Sequence, residues 1–177
     1  MDYSAAVEQL KSPSTWCKGA AALAEIGESQ ALVPLMQAYE TPGEASRGCL
    51  LDAMDALDPV AGALEMVNAD DDEVRRLGVH LMELFPDERY LEMLERMITR
   101  ETGPVHRQAL RTLTTQYQTA AWEAIVARLL ASDDLDVRTM AVDHLARRTT
   151  DSAADALRSH LPHETNPDLK ARIEQSL

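Results

Sequence analysis

The chain has 177 residues, 45% hydrophobic but only 4% aromatic, with a formal net charge of −13. That is the length of one ordinary domain with enough apolar material for a continuous core, which excludes a disordered chain. The acidic balance lacks the basic footprint that nucleic-acid or anionic-membrane binding requires, and it fits a cationic partner or simply a soluble surface.

The opening stretch MDYSAAVEQL has no basic segment ahead of an apolar run, so it does not read as a secretory leader. No apolar stretch approaches a membrane span. Cys17 and Cys49 fall among small residues in expected helices and read as two buried, reduced thiols. Together these features predict a cytoplasmic protein. Ser12–Pro13, Thr41–Pro42 and Asn166–Pro167 each set a capping residue before a proline, as helix starts prefer. Thr41 and Glu44 have the spacing of a capping box. The acids Asp70 to Glu73 sit where a helix N-terminus is positive. They lack the glycine and distal glutamate of a calcium-binding loop.

The helix outline that begins at Asp71 returns at Thr102, Asp134 and Asn166. Aligned on its first apolar position, the column reads Thr15, Ala45, Val74, Val105, Val137 and Leu169. The spacing, about 30 residues, is that of a stacked repeat array. Four places on, the column reads Gly19, Cys49, Gly78, Ala109, Ala141 and Ile173, mostly small residues that let neighbouring helices approach closely. Eight places on, it reads Leu23, Ala53, Met82, Leu113, Leu145 and Leu177, along the same helix face. A second apolar stripe follows within each repeat: Leu91, Leu94 and Ile98; then Trp122, Ile125 and Leu129; then Ala154, Leu157 and Leu161. Each repeat is therefore expected to be two antiparallel helices. Trp122 is assigned to the core by this register, whereas Trp16 has no firm assignment.

These residues resemble HEAT-like repeats, especially the bacterial type first described in phycobilin lyases. The stretches Asp71 to Met82 and Asp134 to Leu145 fit its acidic cap, Val-Arg pair, small residue and leucine best. The repeats around Trp16 and Ser46 lack the Val-Arg pair. The resemblance implies an all-α fold, a right-handed α-solenoid of about five helix pairs plus terminal capping helices, as one domain over 1–177. The implied units are 13–40, 41–69, 70–101, 102–132 and 133–165, with a capping helix at 166–177 and an extra N-terminal helix at 2–10. First helices would line the convex side and second helices the concave side, where function in such arrays usually sits.

No glycine-rich phosphate loop, His-Glu-x-x-His or Gly-x-Ser-x-Gly motif is present, and no catalytic residue or cofactor is assigned. His160, His163 and Glu164 are the one metal-like cluster. Among HEAT-like families, deoxyhypusine hydroxylase holds iron with His-Glu pairs repeated in several repeats. Here the pair occurs once, so these residues read as surface groups, and as a weak metal candidate at most.

Glu92, Glu123 and Asp155 share one column across the second helices of the third to fifth repeats, with Glu65, Glu88 and Glu95 on nearby positions. Such a column is expected to present negative potential to a basic protein segment on the concave face. Neighbouring arginines at 89, 96, 128 and 158 favour the alternative of a solvated polar face. The reading is a non-enzymatic protein–protein interaction module: a scaffold, an adaptor or an immunity-type inhibitor binding a basic partner. The alternative is a phycobilin-lyase-like protein handling a tetrapyrrole or its acceptor protein, and a third reading is a metal-dependent hydroxylase. Oligomeric state is left open.

Overall fold

The computed structural model describes residues 1–42, 47–116 and 119–177. Among these residues the chain forms twelve α-helices and no strand. It divides into two compact units, Met1–Asp87 and Glu88–Leu177, so the boundary falls within the third expected helix pair.

The first unit holds α1 (Tyr3–Gln9), α2 (Trp16–Ile26), α3 (Leu32–Glu40), α4 (Gly48–Asp55), α5 (Pro59–Met66) and α6 (Asp72–Leu84). α2 packs on both α1 and α4, while α6 packs on α3 and α5. Leu23, Leu32, Leu35, Met36, Leu50, Met54, Leu77 and Leu81 are fully buried between them. The small-residue column has a direct steric cause. A Cβ added at Gly19 would lie 2.7 Å from the Ala6 carbonyl oxygen, and one at Gly78 would lie 2.8 Å from the Met66 Cβ. Gly78→Ala is therefore expected to destabilise the protein by about 1–3 kcal/mol, the usual cost of overpacking. A urea midpoint unchanged by that substitution would show that the α5–α6 contact is looser than these distances imply.

Three sequence expectations change here. α2 starts at Trp16 rather than beside Ser12, because the Thr15 hydroxyl donates to the Gln9 carbonyl at 2.6 Å and closes the turn after α1. Trp16, left unassigned above, is only 1% exposed, and its indole N–H donates to the Leu10 carbonyl at 2.8 Å. Thr41 ends α3 instead of opening a helix, with its hydroxyl on the Gln37 carbonyl, and the Glu44 end of the expected capping box lies outside the described residues.

The cysteines are the third correction. Cys17 and Cys49 form a disulfide between α2 and α4, with their Cα atoms 5.2 Å apart, and Cys17 is exposed rather than buried. Stacking the first helices of adjacent repeats brings the two residues together, which single-repeat periodicity does not reveal.

The second unit holds α7 (Leu91–Arg100), α8 (Gly103–Gln116), α9 (Ala120–Leu129), α10 (Leu135–Leu145), α11 (Asp151–His160) and α12 (Pro167–Ser176). α7 packs on α8 and α9, α9 on α10 and α11, and α10 on α11 and α12. The expected all-α construction from stacked helices, that of an α-solenoid, holds. Leu91, Leu94, Ile98, Trp122, Ile125 and Leu129 are all buried as the stripe predicted. In α11 Leu157 is buried as the stripe predicted, but Ala153 is buried in place of Ala154, and Leu161 after the helix is only partly covered.

Local sequence explains where several helices begin. The Asp71 carboxylate accepts from the N–H groups of Glu73 and Val74, and Asp134 accepts from Asp136 and Val137. Asn166 does the same for Asp168 and Leu169. Each side chain satisfies amides that a helix start leaves without an intrahelical partner. Thr119 and Thr150 cap α9 and α11 in the same manner.

Candidate functional site

The acidic residues singled out by spacing do not share one environment. Glu92 and Glu88 are exposed in the second unit, and Asp155 is exposed beside Arg158, whose Nη1 lies 2.8 Å from it. Glu95 is partly covered and makes a two-toothed pair with Arg128 across α7 and α9, at 2.8 and 2.6 Å. The carboxylate raises the guanidinium's pKa in return. In the first unit Glu65 is exposed, with the Ser29 hydroxyl 3.5 Å away.

Glu123 departs most from the expected exposed column. It is only 4% exposed, and its carboxylate faces the turn that leads into α11. Arg148 Nε donates to it at 3.2 Å, the Thr150 hydroxyl at 2.8 Å, and the Ser152 hydroxyl also donates. Burial pushes its pKa up, but the Ser152, Thr150 and Arg148 donors outweigh burial and hold the carboxyl below its ordinary value. Glu123 thus joins α9 to the next helix pair. The tryptophan beside it, Trp122, is buried with its indole N–H on the Leu113 carbonyl at 2.6 Å.

Glu164 is a second carboxylate drawn inward. It is 6% exposed and accepts from Arg138 Nε at 3.1 Å, His160 Nε2 at 3.1 Å and the Asn166 N–H at 2.8 Å. These donors use the oxygens that a metal would need, and His163 is exposed beside them. Among the described residues no three His, Cys, Asp or Glu side chains are grouped to hold a metal ion. The first unit has a parallel case in Glu40, which takes Arg76 and His80. The remaining histidines, His106 and His144, meet the Ile98 carbonyl and the edge of Trp122 respectively.

The Val-Arg pair of the repeat has a definite task. Arg75 Nη1 donates to the carbonyls of Ala69 and Asp70, both at 2.9 Å. Arg138 Nη1 donates to those of Ser132 and Asp133, at 2.8 and 3.1 Å. Each guanidinium closes the turn before its own helix by satisfying carbonyls there. Residues 92–177, which carry α8 to α12 and nearly all of α7, match the family model for HEAT repeats. This stretch is a HEAT-repeat array.

Several solved structures are similar to the chain. One is an engineered protein at 15% identity and a TM-score of 0.43, covering 100% of this chain and 96% of that one. A designed armadillo repeat protein stands at 14% identity and 0.42, covering 99% and 98%. The complex of CpcE and CpcF of phycocyanin lyase from Nostoc sp. stands at 16% identity and 0.31, covering 99% and 93%. No curated protein matches the chain. Among the described residues no helix is long and apolar enough to cross a membrane.

Within the HEAT repeats, α9 and α11 enclose a shallow trough of about 370 Å³ floored by Ala127, Ala131 and Ala156 and bordered by Arg128, Ser159 and His160. Asp155 adjoins this floor in sequence, and the Arg128–Glu95 pair links its border to α7. Sequence spacing pointed to the acids on this side but not to the apolar floor. The floor's signal is the small residue recurring four places apart, at Ala127 and Ala131.

Proposed function

We propose that the protein is a binding module, a scaffold, adaptor or inhibitor, whose second unit takes a basic protein segment along α7, α9 and α11. The observation that carries this reading is the combination on those three helices. Exposed carboxylates at Glu92 and Asp155, with Glu88 in the turn that leads into α7, accompany an apolar trough between α9 and α11. Cationic side chains would meet the carboxylates while one apolar side chain of the same segment enters the trough. That division of labour gives steering from charge and retention from burial. Glu95 and Glu123 contribute differently: their carboxylates hold Arg128 and Arg148, so they shape the face rather than attract a partner. Glu65 belongs to the first unit.

The test is affinity capture from the native host with the wild type beside a Glu88→Lys, Glu92→Lys, Asp155→Lys variant of unchanged helicity. Glu123 is left intact, because its replacement would disturb the α9–α11 junction. One basic protein, held by the wild type and lost by the variant, is the expected result. Equal capture of that protein by both would remove the face from consideration.

A further inference from the structure

One place after the leading residue, the repeat column reads Trp16, Ser46, Arg75, His106, Arg138 and Lys170. Arg75 and Arg138 both reach carbonyls six and five residues back. His106 does not. Its Nδ1 donates to the Ile98 carbonyl, eight residues back, at 3.0 Å. A carbonyl only accepts, so Nδ1 carries the proton. The residues in register with the guanidinium's usual acceptors are Arg100 and Glu101. There a cleft of about 540 Å³ opens, with Glu101, Thr102 and His106 on one side and Ser132, Asp133 and Asp134 on the other. An imidazole is shorter than an arginine side chain and lacks its planar fork of five donors. A second cleft, of about 510 Å³, has Arg138 on its lining, whereas at this one the column offers only His106.

We propose that this cleft is a guanidinium site, which takes an arginine side chain of a basic partner where two other repeats hold an arginine of their own. The cavity and the internal template at Arg75 and Arg138 define the shape of the group. Glu101, Asp133 and Asp134 supply matching charge, and the C-terminal end of α7 adds partial negative charge. Arg100, also on the lining, opposes a cation and is exposed, so solvent screens it. A lysine ammonium is a point charge without the fork, so arginine is the preferred occupant. This deepens the interaction reading by naming a contact group, and it stands on residues away from Glu88, Glu92 and Asp155.

The experiment is an NMR titration of isotope-labelled protein with arginine amide, lysine amide and citrulline amide, read at the amides of Gly103 and Ser132 and at the His106 ring. Arginine amide is expected to give saturable shifts, with lysine amide roughly tenfold weaker and uncharged citrulline amide silent. His106→Arg fills the cleft from within. It is expected to fold, to raise the thermal midpoint and to abolish the arginine-amide shifts. No saturable shift, equal shifts with citrulline amide, or shifts unchanged in His106→Arg would each overturn the proposal. A His106→Arg chain that fails to fold would do the same, since the claim is that a guanidinium fits there. The Glu88→Lys, Glu92→Lys, Asp155→Lys variant should bind arginine amide normally, so failure of the helix face and failure of the cleft are told apart.

Discussion

Reducing the Cys17–Cys49 bond, or replacing Cys17 with serine, is expected to lower the unfolding free energy by about 3–4 kcal/mol. The bond closes a loop across a sequence separation of 32 residues, and releasing it restores that loop's freedom to the unfolded chain. The loss falls on the first unit, where α2 and α4 are the helices joined. The repeats that hold α2 and α4 lack the Val-Arg pair, although Arg47 donates to the Thr41 carbonyl at 3.0 Å ahead of α4. Urea unfolding with and without reductant measures the effect, and an unchanged midpoint would rule out the loop-closure account. Exposure of Cys17 makes the bond reachable by a thiol. Disulfides persist in oxidising surroundings and are kept reduced in a glutathione-buffered cytosol. The expectation of a cytoplasmic protein drew on two reduced thiols, and the cross-link removes that support. Rapid alkylation of cells followed by non-reducing mass spectrometry would give the state of the pair directly.

What could be read from the sequence was local or periodic. The caps at Asp71, Asp134 and Asn166 act over two or three residues, so their spacing alone located three helix starts. Gly78 sits in the small-residue column because the helix of the repeat before comes within 2.8 Å of a Cβ there, a contact that recurs at the repeat spacing and so leaves a column to read. What escaped was decided between repeats. Glu123 shares its column with Glu92 and Asp155, but the segment from Arg148 to Ser152 folds over it and not over them. The acceptor and its donors are separated by 25 to 29 residues, and no pattern within a helix carries that information. The disulfide is similar: Cys17 lies two places after Thr15 and Cys49 four places after Ala45, so the columns do not pair them. His106 was legible in principle, as the histidine between Arg75 and Arg138 in its column. Its meaning needed the hydrogen bonds of Arg75 and Arg138 to show what the column does.

Glu164→Ala is expected to cost about 3–5 kcal/mol, because it leaves Arg138 partly buried without its counter-charge. The turn carbonyls of Ser132 and Asp133 would still hold one edge of that guanidinium, and the outcome belongs at the lower end if they suffice. The acid response separates charge from packing. Burial alone would raise the Glu164 pKa, but the Asn166 N–H, His160 and Arg138 outweigh it and hold the carboxyl at about 2, against an ordinary 4.5. A carboxyl whose pKa is lower folded than unfolded favours the native state when ionised. Its contribution is therefore complete above 4.5, declines as the pH falls, and is gone near 2. The size of that contribution is about 2–3 kcal/mol after allowance for solvent near the pair. Glu164→Gln keeps the volume and cannot ionise, so its stability should fall less steeply than the wild type's across that range. Identical acid profiles for the two proteins, followed by circular dichroism in urea, would mean that other carboxylates such as Glu40 and Glu123 carry the acid sensitivity. A steeper wild-type profile would make Glu164 the charge that fastens α12 to the repeat before it, through Asn166 at the start of one and Arg138 in the other.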